Sequence, residues 1–229
     1  MRLRDWAPMP SQWIFDRGLR DFTWFKNTNQ SRSTAIAALQ LYIAMLTQAD
    51  TNWAEGDDRL ICGLSYEELK ERTGLSRQLI ALGIQALDET KLIEVARIGV
   101  RNRYEILGFD IHQGWCKVPA RALYNTPNPR KIVGFQLFTK RSMHELDALK
   151  LFLYYAAIRG NFDRYSVVTY ETINKQTGVP LKRIAKANAF LVAAGMLADV
   201  KQEQVGESHQ MEPNKYYLVG NQALATRRR

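Results

Sequence analysis

Histidine, cysteine and phosphate-binding loops are what this sequence has least of. Its three histidines, His112, His144 and His209, are scattered through 229 residues, and no two stand at metal-ligand spacing. A zinc hydrolase, or a nicking enzyme that holds a metal beside a nucleophilic tyrosine, needs such a pair. The two cysteines, Cys62 and Cys116, lie far apart in the sequence, so they read as small apolar fillers in a reducing compartment. No glycine-rich loop followed by Lys-Ser/Thr occurs, which leaves nucleotide hydrolysis without a site. The longest apolar stretches, "AIAALQLYIAML" and "ALKLFLYYAAI", fall short of the ~20 residues of a membrane span and carry helical periodicity. The opening "MRLRDWAPMP" has Asp5 and Pro8 where a signal peptide has its apolar run. These absences lead us to expect a cytoplasmic protein with no cofactor, no metal, no membrane partner and no enzyme active site.

What the sequence has instead is positive charge and a long-range repeat. Thirty-two Lys and Arg stand against 23 Asp and Glu, a net charge of +9 with a pI near 9.6. An excess of this size points first to a polyanion as partner. Hydrophobic residues make up 46% and charged residues 24%, enough to build a core.

"SYEELKERTG" at 65–74 returns as "TYETINKQTG" at 169–178, an offset of 104. At that offset Leu75/Val179, Ile80/Ile184, Leu87/Leu191, Leu92/Met196 and Ile93/Leu197 also agree in type. Upstream, "LQLYIAML" resembles "LKLFLYYAAI" at an offset of 110, and "PMPSQWI" (8–14) resembles "KVPARAL" (117–123). The change of offset falls in a longer first-copy loop, "TQADTNWAEGDDRLICG". We therefore expect two domains related by internal duplication: 1–108 with an aromatic N-terminal segment, a linker at 109–116, a second domain at 117–221 and a basic tail at 222–229. The period is too long for a solenoid, so each unit is expected to bury its own core.

Both units carry the same order of elements. Amphipathic helices are predicted at 33–48 and 143–158, followed by short helices at 66–72 and 170–176 with Ser65 and Thr169 as N-caps. Gly74 and Gly178 supply a sharp turn, and third helices follow at 77–90 and 181–194. Each unit closes on a hairpin, "LIEVARI" with "NRYEIL" around Gly99, and "MLADVKQEQV" with "KYYLVG". The fold class predicted is mainly α with small β-hairpin wings (α+β).

"ELKERTGLSRQLIALGIQALDETKLIEV" closely resembles the consensus of winged-helix DNA-binding domains, where a turn Gly, an apolar residue and Ser-Arg open the recognition helix. "TINKQTGVPLKRIAKANAFLVAAGMLADV" resembles it more loosely, with Pro180 at the Ser position and Asn188 at a usually apolar one. Two such units look like the tandem winged helix-turn-helix domains of plasmid replication initiators; single ones are widespread among bacterial and phage repressors. The resemblance implies sequence-specific binding of double-stranded DNA, as a replication initiator or transcription regulator of a plasmid, phage or other mobile element. The expected location is then the bacterial cytoplasm, on the nucleoid.

The candidate contacts follow from the helical faces. With Ile80, Ile84 and Leu87 as the buried stripe of the first reading helix, Ser76, Arg77, Gln78 and Gln85 are candidates for DNA contact. Arg matches guanine O6/N7 and Gln matches adenine N6/N7 in the major groove. Leu79 and Leu82 on that helix suit a thymine methyl, a protein partner or a homodimer contact about equally. In the second helix Lys182, Arg183 and Lys186 cluster at the N-terminal half, where phosphates can be neutralised. Asn188 needs a hydrogen-bond partner or marks a departure from the fold. Arg97, Arg101 and Arg103 in the first wing suit phosphate or minor-groove contact. Arg121, Arg130 and Lys131, around a Pro-rich loop, read equally as backbone contacts or as a solvated loop. The N-terminal aromatics Trp6, Trp13, Phe15, Phe22, Trp24 and Phe25 read as packing over their own domain, with a partner patch as the alternative. The competing class is a winged-helix subunit that docks protein or RNA in a larger nucleoprotein assembly.

Overall fold

Two helices that are buried on every side, where amphipathic ones were expected, organise the chain. In the computed structural model, which describes residues 4–24, 32–52, 57–98, 101–124, 130–202 and 213–225, α2 (Arg32–Leu46) buries every residue from Thr34 to Leu46. The later helix α5 (Met143–Ile158) buries every residue from Glu145 to Ala157. A helix with no solvent face can only be stable when wrapped on all sides. The wrapping comes from α3 (Tyr66–Thr73) and α4 (Arg77–Glu89) around α2, and from α6 (Tyr170–Thr177) and α7 (Leu181–Ala193) around α5. All six helices lie within two residues of their predicted bounds. Two short helices complete the set among the described residues, α1 (Gln12–Phe15) and α8 (Asn221–Leu224).

The described strands form three small antiparallel sheets, so the fold is mixed α+β. One is ordered β2 (Asp50–Asn52), β3 (Asp57–Cys62), β5 (Arg101–Ile106), β4 (Ile93–Ile98). Another is ordered β7 (Ser166–Val168), β9 (Asn214–Leu218), β8 (Leu197–Lys201). The hairpins β4–β5 and β8–β9 match expectation. The partner strands β3 and β7 do not: β3 lies in the stretch expected to be a long loop, and β7 is only three residues long.

Local bonds recur at equivalent places. Ser65 makes a capping box with Glu68, and Thr169 accepts from Thr172 N at 3.3 Å. Thr73 Oγ1 donates to Leu69 O at 2.6 Å and accepts from Leu75 N at 3.3 Å; Thr177 does the same with Ile173 O and Val179 N at 2.7 and 3.2 Å. Gly74 and Gly178 both adopt the left-handed conformation, at φ 68° and 73°, which a side chain would strain. In the middle strands, Asn102 and Asn214 Nδ2 donate to the buried Tyr104 and Tyr216 hydroxyls at 3.4 and 3.3 Å.

The third sheet joins the two halves. β1 (Trp6–Pro10) pairs with β6 (Trp115–Pro119), and Pro8 faces Lys117, the two residues aligned by "PMPSQWI" and "KVPARAL". The segment expected as a connection, 109–116, thus ends inside β6. Each half also braces the turn of the other. Ile132 N donates to Arg72 O at 3.1 Å beside the α3–α4 turn, and Arg20 Nη1 donates to Lys175 O at 3.4 Å beside the α6–α7 turn. Thr47 Oγ1 and the Tyr124 hydroxyl are 2.6 Å apart. One apolar cluster runs through both halves, from Met9 and Tyr42 to Phe152 and Tyr216, where the repeat alone suggested a separate core in each.

Candidate functional site

Helix α4 meets solvent with the side chains expected there. Ile80, Ile84 and Leu87 are buried and Gly83 lies against α2, leaving Arg77, Gln78, Ala81 and Gln85 exposed. Arg77 Nη1 is 4.0 Å from Glu67 Oε1 with both side chains well exposed, an ion pair that contributes little and does not hold the guanidinium. Gln85 Nε2 donates to Glu89 Oε1 at 2.8 Å, one turn along the same face. Ser76 is the N-cap, its hydroxyl accepting from Leu79 N at 3.3 Å. It positions the helix, and its hydroxyl is already engaged. Leu79 is half-buried against the core, and Leu82 is half-buried on the side away from Ile80, Ile84 and Leu87.

Helix α7 corrects one expected contact. Lys182 and Lys186 are exposed, but Arg183 turns inward to the buried Asp147, with Nε 2.9 Å from Oδ2 and Nη2 donating to Oδ1 at 3.2 Å. Arg183 stands 104 residues after Leu79, which is likewise turned toward the core. A charged side chain at that place reads as surface until its buried counter-ion is found. Asp147 also faces Lys150, whose Nζ donates to Thr177 O at 3.2 Å. Burial pulls the Lys150 ammonium down to about 8 against the opposing pull of Asp147. Burial likewise raises Asp147, with Arg183 and then Lys150 opposing. Asn188, buried at an apolar position, accepts from the Tyr155 hydroxyl at 2.9 Å, and Tyr155 stacks on Tyr216 at 4.1 Å. Its carbonyl is thus partnered inside the core, while its buried Nδ2 has no hydrogen-bond partner among the described residues.

In the β4–β5 hairpin, Arg103 is exposed on β5 opposite Ala96. Arg97 and Arg101 pair in register with Asn102 and Ile98 at the end of the hairpin. The side chains of Arg97 and Arg101 and residues 99–100, 203–212 and 226–229 lie outside the described residues; of the expected tail 222–229, residues 222–224 belong to α8, with Leu224 buried.

Sequence reasoning missed a cleft of about 900 Å³ that opens beside the N-terminus of α4. Arg72, Leu75, Ile132 and Phe135 form its deeper wall, and Lys70, Lys131 and Lys140 stand around it with Glu67 and Glu71. Glu71 is 3.7 Å from Arg130, and Glu67 lies 3.8 Å from Lys70. Among the described residues, Lys131 and Lys140 have no ion-pair partner. The cleft exists because the 130–140 segment, sixty residues downstream, braces the α3–α4 turn, and nothing in the local sequence signals that.

The N-terminal aromatics are mostly committed to packing. Trp6 stacks on Trp115 at 5.7 Å, Trp13 meets Tyr42 and Phe22 at 5.6 and 6.5 Å, and Trp24 rests against the core. Phe15 is exposed, and Phe25 lies outside the described residues. Cys62 and Cys116 are buried thiols pushed up to about 12 by desolvation, as apolar fillers should be. Among the described residues no group of three or more His, Cys, Asp or Glu is placed to hold a metal ion, and no helix is long and apolar enough to cross a membrane. No family model, curated protein or solved structure matches the chain.

Proposed function

We propose that the chain is a sequence-specific double-stranded DNA-binding protein made of two winged helix-turn-helix units, acting as a replication initiator or transcription regulator of a plasmid, phage or other mobile element. One observation carries the reading. A capped helix, α4, leaves Arg77, Gln78 and Gln85 in solvent behind a glycine turn, beside a lysine-bearing cleft and before a hairpin bearing Arg103. Those side chains match base edges in the major groove, and the lysines match phosphates on its rim. The net charge of +9 and the equivalent placement of α7 support it. Two reading helices on one chain raise affinity through effective concentration. The second reading, a subunit docking protein or RNA, draws on the exposed Leu181 and Val192 of α7.

Selection of duplexes from a random pool, followed by gel shifts across a salt series, tests the proposal. If six to ten phosphates are met, affinity falls ~10³–10⁵-fold between 50 and 200 mM salt. Arg77→Ala should relax base preference, and joint replacement of Lys182 and Lys186 should weaken all sequences alike. Absence of duplex binding, with an RNA or protein retained instead, would overturn it.

A further inference from the structure

The outer faces of α4 and α7 occupy equivalent places and differ in kind. At the 104-residue offset, Arg77 becomes Leu181, Gln78 becomes Lys182, Leu82 becomes Lys186, Gln85 becomes Ala189, Asp88 becomes Val192, and Ala81 becomes Ala185. Every polar group that α4 could direct at a base edge is aliphatic or lysine in α7. Leu181 and Val192 are each 46% exposed, and Ala185, Ala189, Lys182 and Lys186 are exposed beside them. At 3.6 residues per turn, Leu181, Val192, Ala185 and Ala189 fall within an arc of about 80°, and Lys182 and Lys186 border it on one side.

We propose that α7 selects its half of the DNA site through thymine methyl groups, which Leu181, Ala185, Ala189 and Val192 meet where α4 presents hydrogen-bonding side chains. This rests on the DNA-binding reading. The charge is complementary to DNA, since the helix exposes Lys182 and Lys186 and contains no acidic residue, and these two lysines stand where a phosphate strand would border a groove. The shape also fits. Ala185 and Ala189 sit mid-face and are short, so the helix backbone can come close to base edges, whereas a protein-docking helix presents large anchors at its centre. In the major groove the thymine C5 methyl is the one apolar group on offer, and Ala and other aliphatic side chains are its partners. Direct readout by α7 then distinguishes thymine-rich from thymine-poor sequence, while α4 supplies choices of guanine and adenine.

The test uses the full chain and the duplex selected from a random pool. The half of the site touched by α7 is assigned by loss of footprint in Lys182→Ala/Lys186→Ala. Thymines in each half are then replaced by deoxyuridine, which removes only the methyl group. Binding should weaken roughly fourfold per methyl lost in the α7 half, from the burial of about one CH₂ equivalent. Ala189→Gln, which installs the residue type of Gln85 on an exposed position, should shift base choice there from thymine to adenine. Binding that is indifferent to deoxyuridine in the α7 half overturns the inference and leaves the DNA reading intact. Self-association abolished by Leu181→Glu would also overturn it, because the face would then belong to a second copy. Failure to bind any duplex overturns both.

Discussion

Asp147→Ala is the substitution that most directly tests how the second half is held together. In the folded chain Asp147 is 3% exposed and is the carboxylate facing both Arg183, at 2.9 Å, and Lys150. Removing it leaves two cations against α5 without their counter-ion, in a place where Lys150 is 5% exposed. Breaking a buried pair by deleting one partner destabilises by about 3–5 kcal/mol. That is a large share of a total stability of about 5–15 kcal/mol. With a urea slope of about 2–3 kcal/mol/M, the midpoint should fall by about 1–2.5 M.

The first half shows how the network can be removed without that loss. The positions equivalent to Asp147, Lys150 and Arg183 hold Ala37 and Gln40, both buried on α2, and Leu79 on α4, so no ion stands there at all. The triple variant Asp147→Ala/Lys150→Met/Arg183→Leu takes out all three charges together, so no ion is left stranded. Replacing a buried ion network with apolar residues is often neutral or stabilising. The triple variant should therefore unfold within about 1–2 kcal/mol of the parent, the residual being the lost donor to Thr177 O and imperfect packing. Equilibrium urea unfolding at constant slope measures both. If Asp147→Ala changes stability by less than about 1 kcal/mol, or the triple variant is no better than the single, the assignment of these charges is refuted.

Three further outcomes follow from named groups. Because burial lowers Lys150 to about 8 from its ordinary 10.5, the unfolded chain binds more protons than the folded one between those values, so stability should rise with pH across that window. Thermal melts from pH 7.5 to 10 should show the rise in the parent and not in Lys150→Met, with Asp147, Arg183, Asp21 and Arg20 the charges that face the amine. Gly83→Ala should destabilise by about 1–3 kcal/mol despite alanine's better helix propensity, because its Cβ would fall 2.6 Å from Leu41 Cδ1 and 3.1 Å from Ala38 N; a raised melting temperature would refute that close helix approach. If the cleft beside α4 receives a DNA backbone, Lys131→Ala/Lys140→Ala should reduce the salt slope of binding by about two, and an unchanged slope would remove the cleft from the interface.

The elements of this chain were legible from periodicity because their inward side chains are mostly apolar. Ile80, Ile84 and Leu87 mark the buried side of α4 by spacing alone, and a hydroxyl cap and a glycine bound the helix before it. The same rule misplaced Arg183. Spacing identifies a face by its hydrophobicity, and an arginine held by a carboxylate 36 residues away looks like solvent-facing charge until the packing is known. The paired position in the first half, Leu79, reads as outward for the opposite reason: spacing alone does not place a further leucine beside a full apolar stripe inside, while in the fold it packs against the core. The alignment of the two copies held the information to correct both, since 79 and 183 correspond and one side chain there is apolar. The lysines of the cleft had no such signal. Lys70 is placed by the first copy, and Lys131 and Lys140 by the segment that opens the second, and they meet because each copy's leading segment braces the other's turn. The pairing of β1 with β6, two short strands rich in proline and aromatics, belongs to the same exchange. A repeat read copy by copy therefore predicts what each unit contains and misses what the two units build between them.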